Sequence, residues 1–420
     1  MKEKKFSGYK IVIAMLVYMF VTGGSFGLIS IFMTDICAQN NIALADLSIL
    51  FTTNGVGGVI TALFITPTLL KKIGPRKCMM IGYVFILACI IWYGAATTAI
   101  EFWIAAAVSG VGISLGLMAA FSAIVGNWFI EKRASMTSLV LAGNGLGKAA
   151  FQMIMGPVAV ALGYHMCYYI LAGLIAVIGV ACILLVKDNP KSLGQEPLGY
   201  GKEMAAAAPG ADVVVPGVTK AEAMKSPAFW LAFVAIFFGV LATYAQSYLA
   251  PLLQANGVEA ATAATYSSIF NFLVFAMVTL SGRAAEKLGY AKYILIFGLM
   301  SIVGMLILGL GKAGVASSGV MVILAAALIS AIMPKQTSDT PLTSMSYFGR
   351  KEFGTIQAQM AAAFNCATVF GGAIVSGILK MGLDLNAVYV VFAGFALIST
   401  VLFIAGYMLS PMKKQGIVVT

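Results

Sequence analysis

A short polar stretch, Met333 to Thr340, interrupts a long apolar segment of the sequence. It contains two ionisable residues, Lys335 and Asp339, whereas residues 316–345 otherwise have the composition of a membrane helix. A charge at membrane depth is costly because it loses its hydration, so residues of this kind indicate a functional site. Pro334 lacks a backbone donor and can kink a helix, which is tolerated where protein or water covers the freed carbonyl. The stretch therefore predicts a polar cavity within the membrane.

Hydroxyl residues on two other apolar segments also suit ligand binding. Tyr18, Thr22 and Ser25 are spaced about one helical turn apart, and so are Tyr244 and Tyr248. Their hydroxyls could orient a carboxylate. Tyrosine and small residues are equally common in membrane helix packing, so both interpretations stay open.

The composition of the chain indicates the class of protein in which these residues lie. Of the 420 residues, 61% are hydrophobic and 10% are charged, and the mean hydropathy is +0.98, outside the range of a soluble domain. Roughly 20 apolar residues cross a membrane as a helix, and the sequence predicts twelve such spans. They are expected at about 9–33, 46–70, 77–97, 101–128, 135–160, 164–186, 227–253, 261–282, 291–311, 316–345, 353–379 and 384–409. The predicted fold class is an all-α membrane protein with twelve transmembrane helices.

The basic residues predict the orientation of these spans. With both termini in the cytoplasm, most of the 26 Lys and Arg residues fall on the cytoplasmic side, as the positive-inside rule requires. Lys312 and Lys380 lie at predicted outer ends, where a long side chain can reach water, whereas Lys148 and Lys335 lie within spans. The net charge of +11 follows from this topology. We expect a multi-pass protein of the plasma membrane that binds no nucleic acid.

Neither a metal site nor a cofactor is predicted. The six Cys residues are scattered without a Cys-x-x-Cys pair, and the only His, His165, stands alone. Gly143 to Lys148 looks like a phosphate loop but fails at two positions of that motif. Gly143 and Gly147, four residues apart, are instead expected to allow close helix contact. Because no nucleophile, base or metal cluster is assembled, we expect no enzyme.

The chain is predicted to consist of two repeated halves. Residues 187–226 form one long polar segment with several prolines, interpreted as a cytoplasmic linker between six-helix halves at 1–186 and 227–420. Loop segments in the two halves match, with Gly74 of the first opposite Gly289 of the second. Asn127 to Arg133 likewise matches Ser346 to Glu352 at nearly the same offset. Two matches of this kind indicate repeats that run in the same direction.

These loops resemble the G-x-L-a-D-r-x-G-r-k motif of the major facilitator superfamily, and the resemblance covers essentially the whole chain. The first loop departs from the pattern at Pro67 and Lys71, and the second fits it better. The resemblance implies two six-helix repeats, transport by alternating access and a role in gating for the motif residues. These residues are Gly74, Arg76, Lys77, Gly282, Glu286 and Gly289.

Three further segments resemble the oxalate/formate antiporter and monocarboxylate transporter branch of that superfamily. They are Asn127 to Arg133, Ala142 to Gly147, and Phe229 with Trp230 at the start of the seventh span. The resemblance implies a carrier of small organic anions with its site at the midplane between the halves. Asn271 stands on the eighth span, where this branch tends to carry a basic residue. A monoanion or a larger weak acid is therefore favoured over oxalate.

Lys335 and Lys148 are the candidate ligands for a carboxylate, one in each half. At 1.5 Å per residue, Lys335 lies roughly 20 Å along its helix from Phe348, and Lys148 lies roughly 22 Å from Arg133. The two lysines are thus predicted at similar depth. A buried cation needs an anion or must lose its proton, and a substrate carboxylate could supply that anion. Asp339, four residues after Lys335, could instead neutralise it or take up a proton.

We therefore expect a secondary active transporter of small organic anions of the monocarboxylate class, by proton symport or by anion exchange. Its expected partners are a small organic acid and the lipid bilayer, and it is expected to act as a monomer without a cofactor. An exporter of amphipathic or drug-like organic acids and a membrane sensor without flux are alternatives. The predicted substrate-binding residues are Lys335, Lys148, Tyr18, Thr22, Ser25, Tyr244, Tyr248 and Asn271, with Asp339 as the proton-coupling or charge partner.

Overall fold

The computed structural model describes residues 6–130, 132–199 and 217–414, and these are nearly all helical. The middle of the predicted linker, Glu131 of the Asn127 to Arg133 segment and both chain ends lie outside the described residues. Eleven helices of the described part are long and apolar enough to cross a membrane, judged by length and composition alone. One of them, Arg133–Leu185, changes direction at Gly163, where φ is 79°, and each of its two arms is long enough to cross. The predicted all-α membrane fold is confirmed, and twelve spans result if both arms cross.

The chain divides into two compact units, Met1–Asp212 and Val213–Thr420, and the division falls within the predicted linker. We number the long helices α1 to α12 and name shorter ones by their residues. Unit 1 contains α1 Gly8–Asn40, α2 Leu44–Ile73, α3 Pro75–Ala95, α4 Ala99–Trp128, α5 (133–162) and α6 (164–185). Unit 2 contains α7 Pro227–Thr243, α8 Ala260–Leu288, α9 Tyr290–Ala316, α10 Gly319–Ser330, α11 Phe353–Lys380 and α12 Leu385–Met408.

Glycines bring α1 and α5 of unit 1 into close contact. A β-carbon at Gly143 would lie 2.6 Å from the carbonyl oxygen of Leu16, and one at Gly147 would run into the carbonyl oxygen of Phe20. On the opposite helix, a β-carbon at Gly23 would lie 2.5 Å from the carbonyl oxygen of Asn144. The predicted role of Gly143 and Gly147 in helix contact is confirmed.

The two matched loops have the same backbone conformation at their glycines. Gly74, between α2 and α3, has φ 81° and ψ 162°, and Gly289, between α8 and α9, has φ 77° and ψ 153°. Side chains rarely tolerate this positive-φ region, so each turn requires glycine. The next helix begins directly after each turn. The equal geometry supports the repeat that the sequence indicates.

Each unit also binds its own end of the linker at the second matched segment. In unit 1 the backbone N–H of Leu198 donates to the carbonyl of Trp128 at 2.9 Å, and that of Ile130 donates to the carbonyl of Leu198 at 3.0 Å. In unit 2 the N–H of Val218 donates to the carbonyl of Phe348 at 2.9 Å. The two segments that match in sequence therefore serve the same structural purpose.

Two of the expected spans, 227–253 and 316–345, are interrupted, and the second breaks at Pro334, where the sequence indicated a possible kink. After α7 the chain forms a 3₁₀ turn, Tyr244–Gln246, and then the helix Leu249–Ala255. After α10 it forms the short helix Pro334–Thr337 and then the helix Asp339–Phe348. We call residues 331–338 the α10 break.

Proline explains the α10 break. Pro334 has no N–H, so the carbonyl of Ser330 cannot accept the usual bond from four residues ahead. It accepts instead from the N–H of Met333 at 3.2 Å, and the N–H of Lys335 donates to Ile332 at 3.1 Å. Such three-residue bonds tighten the turn, and within a helix they often mark a functional hinge. The break thus coincides with the two charged residues.

Candidate functional site

The α10 break places Lys335 inside unit 2, with only 3% of the residue exposed. Its ammonium nitrogen lies 4.5 Å from the ring centre of Phe403 on α12, within range of a cation–π interaction. Its stem crosses α7 at Gly239, where a β-carbon would lie 2.7 Å from Cδ of the lysine and 2.8 Å from Oγ of Ser399. Gly239 therefore provides the space that Lys335 occupies.

Asp339, at the start of the next helix, has its own partner on α9. The hydroxyl of the buried Tyr293 donates to Oδ1 of Asp339 at 2.6 Å, a length typical of bonds to a charged acceptor. Within the described residues Lys335 and Asp339 form no direct ion pair, although they are close enough to interact electrostatically. Each of the two residues instead contacts an aromatic side chain, Lys335 that of Phe403 and Asp339 that of Tyr293.

Amide and hydroxyl groups continue this polar surface along the end of α7. Thr243, one turn beyond Gly239, accepts a hydrogen bond of 2.5 Å from the side-chain amide of Gln336 in the break. Gln246 donates to the side-chain oxygen of Asn271 on α8, also at 2.5 Å. Asn271 was predicted as a site residue, whereas Gln336, Gln246 and Thr243 were missed. A cation followed by several amide and hydroxyl groups suits a carboxylate that carries further polar groups.

The two predicted tyrosines near the end of α7 lie in packed positions. The Tyr244 hydroxyl donates to the backbone carbonyl of Thr368 on α11 at 2.9 Å, and its ring covers Gly371. Tyr248 is fully buried. The geometry of Tyr244 matches the packing interpretation that the sequence left open.

In unit 1, Lys148 lies half-buried on α5 with its stem against Gly27 of α1. One turn along, the buried Gln152 donates to the carbonyl of Gly27 at 2.8 Å and to the hydroxyl of Ser30 at 2.9 Å. Sequence reasoning missed Gln152, although its position four residues after Lys148 on an apolar helix is a detectable signal. Lys148 therefore lies beside a buried polar contact.

The three predicted hydroxyl residues of α1 are all buried, but they differ in their bonding. Thr22 donates to the carbonyl of Tyr18 at 2.8 Å, and Ser25 donates to the carbonyl of Thr22 at 2.5 Å, both within α1. The Tyr18 hydroxyl is buried without a hydrogen-bond partner among the described residues, and its ring packs on Phe121. An unsatisfied buried hydroxyl is unfavourable, so Tyr18 is the best candidate of the three for a ligand contact.

The predicted gating residues lie at helix ends. The backbone N–H of Arg76 donates to Oδ1 of Asp188 at 2.6 Å, and its guanidinium Nη2 donates to the carbonyl of Ile183 at 3.2 Å. Arg76 thus ties the α2–α3 turn to the end of α6. Lys77 and Glu286 are exposed, and the space around Gly282 is open. The gating role of this motif stays a prediction.

The fold and these buried groups define a polytopic helical membrane protein with ionisable residues inside its spans. The sequence model of the Major Facilitator Superfamily matches residues 14–338, and the chain belongs to that superfamily. No curated relative matches the sequence significantly.

Solved transporter structures share this fold. A bacterial homologue of the human lysosomal transporter Spinster, inward-facing and unoccupied, matches with a TM-score of 0.71 and 14% identity, over 97% of this chain and 98% of the other. The nucleoside transporter NupG matches with a TM-score of 0.69 and 13% identity, over 94% of this chain and 99% of the other. At these identities the likeness shows the fold alone.

Proposed function

We propose that the protein is a secondary active transporter of small organic anions of the monocarboxylate class. Membership of the Major Facilitator Superfamily supports transport, and the similar structures are described as transporters. The observation that carries the choice of an anion is Lys335, a buried lysine on a broken membrane helix without a direct carboxylate partner among the described residues. A substrate carboxylate would supply the missing charge.

Lys335 is proposed to bind the substrate carboxylate, with Phe403 beneath the ammonium. Gly239 leaves the lysine stem room to lie across α7, and Ser399 borders the same space. Thr243, through its contact with Gln336, extends the polar surface toward Asn271. The rest of the substrate would meet these hydrogen-bonding groups.

Within unit 1, Lys148 and Tyr18 are the proposed substrate contacts. Lys148 retains part of its surface exposed, and Tyr18 holds a buried hydroxyl without a partner among the described residues. Thr22 and Ser25 donate to carbonyls of their own helix, so we assign them a lesser part.

Asp339 is proposed either to take up the coupling proton or to tune the charge of Lys335. Its contact with Tyr293 holds it within the electrostatic reach of Lys335. In proton symport, protonation of Asp339 would accompany substrate entry. In anion exchange, Asp339 would stay charged while one acid replaces another on Lys335.

Uptake of labelled small carboxylates into proteoliposomes tests the proposal, with and without a pH gradient or an internal counter-acid. Loss of a bond to a charged group costs about 1.5–3 kcal/mol, so Lys335→Gln should weaken substrate affinity roughly ten- to hundredfold. The control Lys312→Gln removes a cation from an exposed position and should leave uptake unchanged. The response to the gradient separates symport from exchange.

Three outcomes would contradict the proposal. Carboxylate uptake that is equal in wild type and Lys335→Gln would make Lys335 a structural residue. Carboxylate binding without any flux would favour the sensor, and flux confined to amphipathic acids would favour the exporter.

A further inference from the structure

A groove of about 450 Å³ lies between α8 and α9 of unit 2, apart from the candidate substrate site. Most of its lining is apolar, and its charged lining residues are two cations on successive turns of α8. The lining residues are Met277, Leu280, Arg283, Ala284, Lys287 and Phe297. No carboxylate is among these described residues. The groove therefore combines apolar walls with positive charge.

The charged and the apolar lining residues of the groove lie at different positions along the two helices. Arg283 and Lys287 belong to the last turns of α8, which ends at Leu288, and both side chains are exposed. Met277 lies roughly 16 Å along α8 from its last residue, Leu288, and Phe297 lies roughly 10 Å along α9 from its first residue, Tyr290. Because the basic end of these helices is the cytoplasmic end by the positive-inside rule, the cations lie at lipid headgroup depth and the apolar residues lie deeper.

We propose that this groove binds one anionic phospholipid of the cytoplasmic leaflet. The headgroup phosphate lies between Arg283 and Lys287, and an acyl chain packs on Leu280, Met277 and Phe297. Leu280 is half-exposed, which leaves apolar surface available for the chain. Basic pockets between membrane helices at this depth suit anionic headgroups, and each cation near the surface adds about 1 kcal/mol of attraction.

The groove also adjoins the buried charges of unit 2. The ring of Phe297 lies 4.6 Å from that of Tyr293, whose hydroxyl binds Asp339. Ser281, next to Leu280, shares a hydrogen bond of 2.9 Å with Ser338 in the α10 break. The groove is therefore one residue away from the α10 break, through Ser281, and one residue away from Asp339, through Tyr293.

Native mass spectrometry of the purified full chain, titrated with phosphatidylglycerol or with phosphatidylcholine of the same acyl chains, tests the proposal. Wild type should retain one phosphatidylglycerol in preference to phosphatidylcholine. The double variant Arg283→Gln/Lys287→Gln should weaken that binding at least roughly tenfold. The matched control is Lys71→Gln/Lys72→Gln, which removes two cations from the last turn before the equivalent loop of unit 1.

A separate variant tests the apolar wall with every charge kept. Leu280→Asn should also weaken binding, because it removes the exposed apolar contact for the acyl chain. Equal loss in both double variants would show general attraction of anionic lipid to basic helix ends and would overturn the proposal. Equal retention of the two lipids by wild type, or displacement of the lipid by inorganic phosphate, would overturn it as well.

Discussion

Two buried tyrosines allow a test of the charge on Asp339. Tyr293→Phe removes the donor to Asp339, and Tyr389→Phe removes an equally buried donor to the carbonyl of Ala245, where the bond is also 2.6 Å. A bond to a charged group contributes about 1.5–3 kcal/mol and a neutral one about 0.5–1.5 kcal/mol. If Asp339 is ionised, Tyr293→Phe should lower the thermal unfolding midpoint in detergent more than Tyr389→Phe does.

The reverse order, or equal losses, would mean that Asp339 is held neutral. Asp339→Asn provides a further check, because it removes the charge and keeps an acceptor oxygen. In that background the extra loss from Tyr293→Phe should fall to the size seen for Tyr389→Phe.

At the residue scale, sequence reasoning found the charges but missed what surrounds them. Lys335 and Asp339 could be singled out because a charge in an apolar segment is costly wherever the helix packs. Tyr293 and Phe403 could not, since an aromatic residue in a membrane helix gives no local sign of its partner. Their roles depend on how α9 and α12 pack on the α10 break, which only the tertiary structure shows.

The contact between α1 and α5 gives a matched pair of glycine substitutions. In Gly147→Ala the new methyl group would run into the carbonyl of Phe20, whereas Gly145→Ala, two residues away, meets nothing within 4 Å. Backbone cannot yield as a flexible side chain can, so Gly147→Ala should destabilise unit 1 by about 1–3 kcal/mol or more. Thermal unfolding in detergent should show a clear loss for Gly147→Ala and almost none for Gly145→Ala. Two equally stable variants would show that the helices can move apart at no cost.

At the element scale, apolar runs predicted where the spans lie but could not show where helices break. The spans that include α7 and α10 were assigned from composition, which averages over about 20 residues and does not locate a break. Pro334 gave a visible signal for one break. Pro251, in the first turn of the helix Leu249–Ala255, gave a comparable signal for the break that begins at the 3₁₀ turn Tyr244–Gln246.

At the scale of the whole molecule, the repeat was predictable because its turns depend on local geometry. Gly74 and Gly289 occupy the same positive-φ conformation, which few other residues adopt, so the sequence preserves a direct sign of the turn. How polar groups such as Gln336 and Thr243 meet across helices has no comparable sign. The repeated frame is therefore visible in one sequence, whereas the side-chain arrangement within it is not.

The number of membrane spans depends on whether the chain crosses twice around Gly163. That number determines the side of the membrane on which the C-terminus lies. If the arms 133–162 and 164–185 both cross, the spans number twelve and the two termini share one side; if Arg133–Leu185 counts as a single span, the termini lie on opposite sides. The chain reverses at Gly163, because Gly143 of the first arm and Gly179 of the second both lie against residues 16–18 of α1, whereas Tyr164 bonds to Asn40 at the far end of α1. Each arm can span the hydrocarbon, so we expect twelve. Epitope tags on the two termini should resist protease in intact cells, and both should be cleaved in inverted vesicles. Cleavage of only one tag in intact cells would establish an odd number of spans and would reverse the predicted orientation of one unit.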